Sequence, residues 1–445
     1  MTRLLPRRMR GLPRAVWILL AGTLITRAGS FAVPFLTIYL HNERGLSLRH
    51  AGYAMAAWGA GGIVAALSGG TLADRLGRKP VIVGSPILGG LSLVAILLTQ
   101  HPVAVVAVAL VAGVVSESGR PAVSAMLTDL TPPERRMDAF ALFRLVVNLG
   151  FAVGTGLGGV LIELVGFRTL FLADAITSWT YAVIALAFLV ETRPRAAKAE
   201  RARDAAPQRG FGTVVADAAF RRFWAGSFVM AVVFAQTMVT LPLALTERGF
   251  TPKVYGLLIS VNGVLIIATE FWISGRSRRY PPQLVMALGA VVLGGGYALM
   301  GAVGTSIPLL LVTVLVWTFG EMLGSPTGQA YLAALAPPDL RGRYAGGLGL
   351  AWSLAFTVGP ILGSAALEAG HGVLWLGSLA LAVVSAGLFL TLPAARVAAV
   401  EIPVGAPSRP ADPAPVAPGI AVPDQQRAPG QPRGRLVARF AKPRS

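Results

Sequence analysis

The chain has 445 residues, 54% of them hydrophobic and only 13% charged, with mean hydropathy +0.66. A water-soluble domain carries about a quarter charged residues, so this composition excludes an ordinary aqueous globule and makes the lipid bilayer the expected solvent. The net charge of +19 is gathered in no compact basic domain, which excludes a nucleic-acid-binding module, and the absence of cysteine excludes disulfides and thiolate metal sites.

Apolar runs long enough to cross about 30 Å of hydrocarbon fall in chain order at 15–40, 51–73, 81–99, 102–130, 139–164, 168–190, 222–245, 254–275, 283–304, 307–335, 343–366 and 371–392. These are spans 1 to 12. The first is too long for a cleavable signal peptide, and no cleavage site follows it. Of the 39 Lys and Arg, 31 lie at the N-terminus, in the tail and in the gaps after spans 2, 4, 6, 8 and 10. The other gaps hold Arg44, Arg49, Arg168, Arg248 and Lys253; Arg27, Arg120 and Arg144 lie inside spans. The positive-inside rule then places both termini in the cytoplasm. The expected plan is a cytoplasmic N-terminus (1–14), a six-helix bundle (15–190), a polar basic linker (191–221), a second six-helix bundle (222–392) and a Pro-, Ala- and Arg-rich tail (393–445), disordered and solvated. The Arg-rich end of that tail can also touch anionic lipid.

The two halves repeat. "GRPAVSAMLTDLTPPERR" (Gly119–Arg136) aligns without gaps on "GSPTGQAYLAALAPPDLR" (Gly324–Arg341) at an offset of 205, and Gly154 falls on Gly359. "ERG" at Glu43–Gly45 recurs at Glu247–Gly249, and Gly52 matches Gly256, at 204. Parallel repeats with a site between them near mid-membrane are a transporter architecture. The fold class is therefore an all-α integral membrane protein with twelve transmembrane helices in two pseudo-symmetric six-helix bundles.

Between spans 2 and 3 stands "GGTLADRLGRKP" (Gly69–Pro80). Asp74 can cap a neighbouring helix N-terminus, while Arg75, Arg78 and Lys79 can bind helix C-termini, carboxylates or lipid phosphates. Gly70 and Gly77 permit close approach and a tight turn. A solvated turn that merely satisfies the charge rule is the competing reading. The segment resembles the loop signature of the major facilitator superfamily, G-x-L-a-D-r-x-G-r-k, with Gly70, Leu72, Ala73, Asp74, Arg75, Gly77, Arg78 and Lys79 filling every position. The resemblance covers nearly all of residues 15–392. It implies two bundles around a central cavity that opens alternately to either side. It also implies that the loop Asp and Arg latch the outward-facing state against the start of span 11, which here offers Arg341 and Arg343, with Asp129 at the inner end of span 4.

"GTGLGG" (Gly154–Gly159) fits a dinucleotide fingerprint by spelling only, because it lies inside an apolar span with no preceding strand. It resembles the span-5 antiporter signature G-P-x-x-G-G through Gly154, Gly158 and Gly159, with Thr155 in the proline position. Its repeat mate "GPILGS" keeps Gly359, Pro360 and Gly363. The resemblance implies export; close helix packing is the other use of such glycines.

Ionisable residues inside spans are costly and mark function. Glu117 and Arg120 are three apart and share a face, so they form either a structural ion pair or part of a relay. Glu321 and Glu270 have no local cation; Glu270 also stands near the cytoplasmic end, where a side chain can snorkel. Asp174, at the outer end of span 6, suits a helix-start role or a proton role. These four carboxyls are the proton-coupling candidates. Arg27 lies in "TRAGSFAVPFL", which resembles the span-1 pattern of drug exporters with Gly29 and Pro34 in place. Such exporters often carry an acid there, and an anionic substrate group or a salt partner across the cavity would explain an arginine. Many family members carry an Arg in the outer half of span 4, where this chain has Val111. Arg27, Arg120, Arg144 and Asn148 are the cavity candidates. His41, His50, His101 and His371 fall at the external loops as interfacial residues rather than zinc ligands. No catalytic triad, metal set or phosphate loop is spelled, so neither an enzyme nor an ATP-driven pump is expected.

The expected function is proton-driven export of drugs or small amphipathic metabolites. A proton-coupled importer on the same fold is the first alternative, and a polytopic membrane enzyme or sensor the second. The expected partners are a small-molecule substrate, protons and membrane lipid, with no cofactor or metal, no nucleic acid and a monomeric state. Arg-rich usage with only four Lys points to a high-GC bacterium and hence its inner membrane.

Overall fold

A computed structural model describes residues 12–192, 211–337 and 340–394; most of the expected N-terminus, linker and tail lie outside the described residues. Every regular element among the described residues is helical. Eleven helices are long and apolar enough to cross a bilayer: Arg14–Glu43, Leu48–Leu76, Arg78–Leu98, Pro102–Leu130, Asp138–Phe188, Ala218–Glu247, Pro252–Ser277, Pro282–Ala302, Ile307–Leu335, Arg341–Ala369 and His371–Leu390. Asp138–Phe188 has 51 residues, more than twice what one crossing needs at 1.5 Å per residue. Gly166 interrupts it with φ 77° and ψ 169°, so it makes two passes, spans 5 and 6. The helices thus supply the twelve expected passes.

The breaks follow local chemistry. Pro102, Pro252 and Pro282 each open a helix, where the missing N–H costs nothing. The Asp217 carboxylate accepts the N–H groups of Ala219 and Phe220 at the start of span 7. Gly370 turns the chain between spans 11 and 12 at φ 130° as Gly166 does between spans 5 and 6, 204 residues earlier; an L side chain is strained in that backbone region. The repeated "ERG" has a physical role as well. Arg44 donates to the Ile96 carbonyl at 3.4 Å and to the Thr99 carbonyl at the end of span 3. Arg248 donates to Met300 at 2.6 Å at the end of span 9, again 204 residues on.

Span 1, read from the sequence as one run, is broken between Ala28 and Ala32. Span 6 stabilises the break: the Asp174 Oδ2 accepts the Ala32 N–H at 2.9 Å, and the Thr177 hydroxyl donates to the Gly29 carbonyl at 3.3 Å. Span 7 is irregular over Gln236–Val239. There the Gln236 amide donates to the carbonyls of Val232 and Gly359.

Packing differs between the two ends of the molecule. The end carrying the loops after spans 2, 4, 6, 8 and 10 is termed the linker side, and the opposite end the far side. One apolar core fills the far side and joins both halves, with Phe35, Leu36 and Phe171 packed alongside Leu243, Tyr255 and Trp375. On the linker side the core divides. One cluster holds Leu19, Ile82, Met126 and Tyr181 of the first half; another holds Phe223, Met286, Tyr331 and Phe389 of the second. Large apolar side chains such as Leu67, Val183, Phe271 and Trp272 stand exposed around the outside, as a bilayer-facing surface requires.

Candidate functional site

The seam between the halves runs along spans 2 and 11 and along spans 5 and 8. On the far side it is closed. Arg49 Nε meets Glu368 Oε2 at 2.5 Å, and Lys253 Nζ meets Glu163 Oε2 at 3.2 Å. The Thr251 hydroxyl also donates to Glu163. Phe35 and Tyr255 pack edge to face with centroids 5.4 Å apart. The glycines singled out in the sequence lie at close crossings. A Cβ on Gly154 would sit 2.8 Å from the Arg27 carbonyl oxygen, one on Gly158 2.9 Å from the Phe35 ring, and one on Gly159 2.9 Å from the Lys253 Cα. Gly359 and Gly363 bring span 11 against Ala235 and Gln236 of span 7 in the same way, and Pro360 is buried in that helix. Only glycine tolerates these approaches.

Toward the linker side the seam opens between spans 2 and 11, while spans 5 and 8 stay bridged. Gly70 on span 2 and Gly342, Gly346 and Gly349 on span 11 have no neighbouring atom within 4 Å of where a Cβ would point. Arg144 Nη2 and Glu270 Oε1 reach across from spans 5 and 8 at 2.7 Å. Sequence reading left Glu270 without a local cation; its partner lies 126 residues away in the chain, and only the folded seam brings the two together. Asn148 stands one turn from Arg144, half-buried.

Each half contains a cavity. The first, about 1180 Å³ out to its mouth, is lined by Arg27, Glu117, Arg120, Asp174 and Tyr181 among others. Arg120 Nη1 meets Glu117 Oε2 at 2.8 Å, as the three-residue spacing predicts. Arg27 forms no ion pair with any described residue. The second cavity, about 720 Å³, lies among spans 7, 9, 10, 11 and 12, with Phe223, Phe234, Trp352 and Met230 on its walls and Glu321 as its one ionisable wall residue. A smaller cavity of about 320 Å³ connects the arrangement: Phe151 and Met238 line it and the first cavity, Glu321 and Phe234 line it and the second. Glu321 Oε2 accepts the Asn262 amide N–H at 3.2 Å, and the same amide donates to Thr318 at 2.9 Å. No described cation pairs with Glu321.

The "GGTLADRLGRKP" loop is held by charge. Buried Arg78 meets Asp129 Oδ2 at 2.5 Å and Asp74 at 4.0 Å, with the Asp74 side chain 72% exposed. The Glu191 carboxylate accepts the N–H groups of Arg78 and Lys79 at 3.0 and 3.1 Å, neutralising the start of span 3. Gly77 makes the turn at φ 105°. Both Asp74 and Arg75 stand exposed at this loop. Sequence reading placed Glu191 in the linker and missed its capping role. It also missed Asn262, whose signal was present: a lone amide within "LLISVNGVLII". The far-side acids Glu163 and Glu368 went unnoticed because positive-inside accounting weighs only Lys and Arg.

Twelve helical passes in two repeats, sealed on one side over cavities that open to the other, define a membrane transporter. The chain matches the model of the Major Facilitator Superfamily over residues 18–323 and 223–425, and it belongs to that family. It is 27% identical to a Na(+), Li(+), K(+)/H(+) antiporter of Planococcus maritimus, over 78% of this chain and 88% of the relative. It is also 27% identical to the class C tetracycline resistance protein of Escherichia coli, over 74% and 82% respectively. Among solved structures, a POT family transporter in complex with a thioalcohol-conjugated peptide superposes with a TM-score of 0.72 at 18% identity, covering 87% of this chain and 98% of that one; this likeness is one of fold.

Proposed function

We propose that the protein is a proton-coupled exporter of drugs or small amphipathic metabolites, working by alternating access as a monomer in a bacterial inner membrane. Bundles 15–190 and 222–392 are its moving bodies, joined by the cytoplasmic linker. The distribution of Lys and Arg assigns the linker side to the cytoplasm, so the conformer described is inward-facing, with both cavities open to cytoplasmic substrate. The loop after span 2 acts as a latch that engages the start of span 11 when the cytoplasmic side closes. The resemblance of the span-5 and span-11 glycine motifs to the antiporter signature supports export, as do the names of the antiporter and resistance relatives.

One observation carries the coupling. Of the four candidate acids, Glu117 is paired with Arg120, Glu270 with Arg144, and Asp174 holds the break in span 1. Glu321 alone faces a cavity with a single amide donor and no cation. A carboxyl so placed takes up a proton when the cavity faces the outside and yields it when the cavity faces the cytoplasm, and each transfer changes the charge the cavity presents to substrate. Proteoliposomes with an imposed pH gradient test this reading. Glu321→Gln should abolish gradient-driven movement, because an amide carries no exchangeable carboxyl proton, while substrate exchange without a gradient persists. Gradient-driven transport at the wild-type rate in the variant would overturn the assignment. Uptake rather than extrusion on acidifying the face opposite the termini would replace export by import.

A further inference from the structure

We propose that the cavity in the second half is the binding site for a hydrophobic organic cation, an aryl- or alkyl-bearing ammonium or phosphonium, whose charge pairs with Glu321. The inference deepens the export reading by naming the substrate class of that site, and it rests on that reading only for the link to transport.

The walls argue first. Phe223, Phe234, Trp352, Met230 and Leu293 make the cavity apolar, and its polar side chains apart from Glu321 are the neutral Ser227, Ser325 and Gln329. The rings are held as platforms: Trp352 packs edge to face on Phe234 at 5.6 Å and stacks on Phe356 at 6.3 Å. Aromatic faces attract cations and repel anions.

The charges argue next. A carboxylate in an apolar cavity is costly unless a proton or a cation neutralises it. Asn262 supplies one hydrogen bond to Oε2 and leaves Oε1 without a described partner. The charged groups nearest on the packed elements are Glu270 and Arg144, already joined to each other at 2.7 Å. The Tyr297 hydroxyl, from span 9, is engaged by Thr237. Spans 7, 11 and 12 contribute no ionisable side chain to the cavity wall. The missing positive charge must come from the ligand or from a proton. An anionic ligand would set like charge against like. In the first cavity the cationic side chains of Arg27 and Arg120 stand in the wall, whereas the second has no cationic side chain in its wall.

Proton and cation then exclude one another on a single carboxylate. Cation binding to the protonated form releases one proton to the water of the cleft, and proton binding releases the cation. That mutual exclusion is what exchange requires, and it needs no communication between distant sites.

The probe is tetraphenylphosphonium, with tetraphenylborate as a size-matched anion, titrated calorimetrically into the purified full-length protein in weakly buffered detergent. Tetraphenylphosphonium is expected to bind with release of up to one proton per ligand. Its apparent affinity should fall toward tenfold per pH unit once the acid is protonated, and tetraphenylborate should bind at least tenfold more weakly. Glu321→Gln should weaken tetraphenylphosphonium at least tenfold and abolish proton release. Trp352→Ala should weaken it several-fold yet keep proton release, which separates loss of the site from loss of the fold. Equal binding of the two ions, or unaltered affinity and proton release in Glu321→Gln, would overturn the proposal. Tetraphenylphosphonium that binds with proton release but is not moved by a pH gradient in proteoliposomes would leave the site standing and defeat the export reading. Gradient-driven export of other compounds by a protein that does not bind this ion would do the reverse.

Discussion

The two halves share a scaffold and differ in what they line it with. Gly45 and Gly249, Gly166 and Gly370 adopt positive φ at matching turns. Arg44 and Arg248 bond matching carbonyls, Ile96 and Met300. Yet at the repeat offset of 205, Ser116 of the first half corresponds to Glu321 of the second, and Arg120 to Ser325. One cavity holds an ion pair, the Asp174 carboxyl and an arginine outside any ion pair; the other is aromatic with a lone carboxyl. Turns and helix ends carry backbone groups that must be satisfied wherever the fold recurs, so their chemistry repeats. Cavity walls face water or ligand and are free to diverge. Asymmetry between repeats therefore marks the site, and symmetry marks the frame.

The linker-side loop after span 2 is the sharpest break in that symmetry and carries the largest expected effect on stability. Arg78 is buried and paired with Asp129, whereas the matching positions in the second half are Pro282 and Ala334. Removing one partner of a buried pair leaves an uncompensated charge. Asp129→Asn should therefore destabilise the protein by about 3 kcal/mol, read as a fall in the thermal unfolding midpoint in detergent. Arg278→Ala, in the matching loop of the second half, should cost under about 0.5 kcal/mol, as an exposed substitution does. Equal losses would mean that the second-half loop is held by something other than the hydrogen bonds of Gln283 and Tyr331 to the carbonyls of Leu392 and Pro393.

The paired arginines sharpen the comparison from the other side, because here the halves agree. Arg44 serves Ile96, Leu97, Thr99, Gln100 and the Tyr39 hydroxyl, and Arg248 serves Met300. Charge-assisted hydrogen bonds contribute about 1.5–3 kcal/mol each when unshared. Arg44→Ala should cost about 2 kcal/mol and Arg248→Ala about 1 kcal/mol, with transport direction unchanged in both. Amide hydrogen exchange at the ends of spans 3 and 9 should rise locally, and a global rise would contradict a capping role.

Much of this frame was legible before any coordinates. The spans announce themselves because the bilayer demands twenty apolar residues at a time, and the corner between spans 5 and 6 shows as a gap around Gly166. The pair Glu117–Arg120 was legible because helical spacing is local. What was not legible is long-range. Arg144 and Glu270 are 126 residues apart, and no periodicity connects them. The break in span 1 lies within a run long and apolar enough to read as one span, and the group that stabilises it, Asp174, belongs to span 6. Glu321 stood out in the sequence for lacking a nearby cation. That property survived folding, whereas for Glu270 the tertiary structure supplied the partner.

The smallest expected effect concerns the far-side seam, where the repeat is again visible. Arg49 pairs with Glu368 and Lys253 with Glu163; Lys253 follows Arg49 by 204 residues and Glu368 follows Glu163 by 205. Each strap ties the start of one span to the end of another across the halves, so each exists only while the far side is closed. Arg49 is 62% exposed, and an exposed pair contributes about 0–1 kcal/mol. Glu368→Gln should thus raise the population of far-side-open molecules no more than about fivefold. The chain has no cysteine, so Ser364→Cys, beside Gly52 in the closed seam, places a single near-isosteric thiol there. Its labelling by a membrane-impermeant maleimide should quicken several-fold in Glu368→Gln at low salt. Salt at 1 M shortens the screening length to about 3 Å and should bring the parent protein toward the variant. Glu163→Gln should act more weakly, because glutamine still accepts the Thr251 hydroxyl. Labelling that changes equally at all salt concentrations would assign the closure of the seam to the apolar contacts of Phe35 and Tyr255 and leave the ion pairs as bystanders.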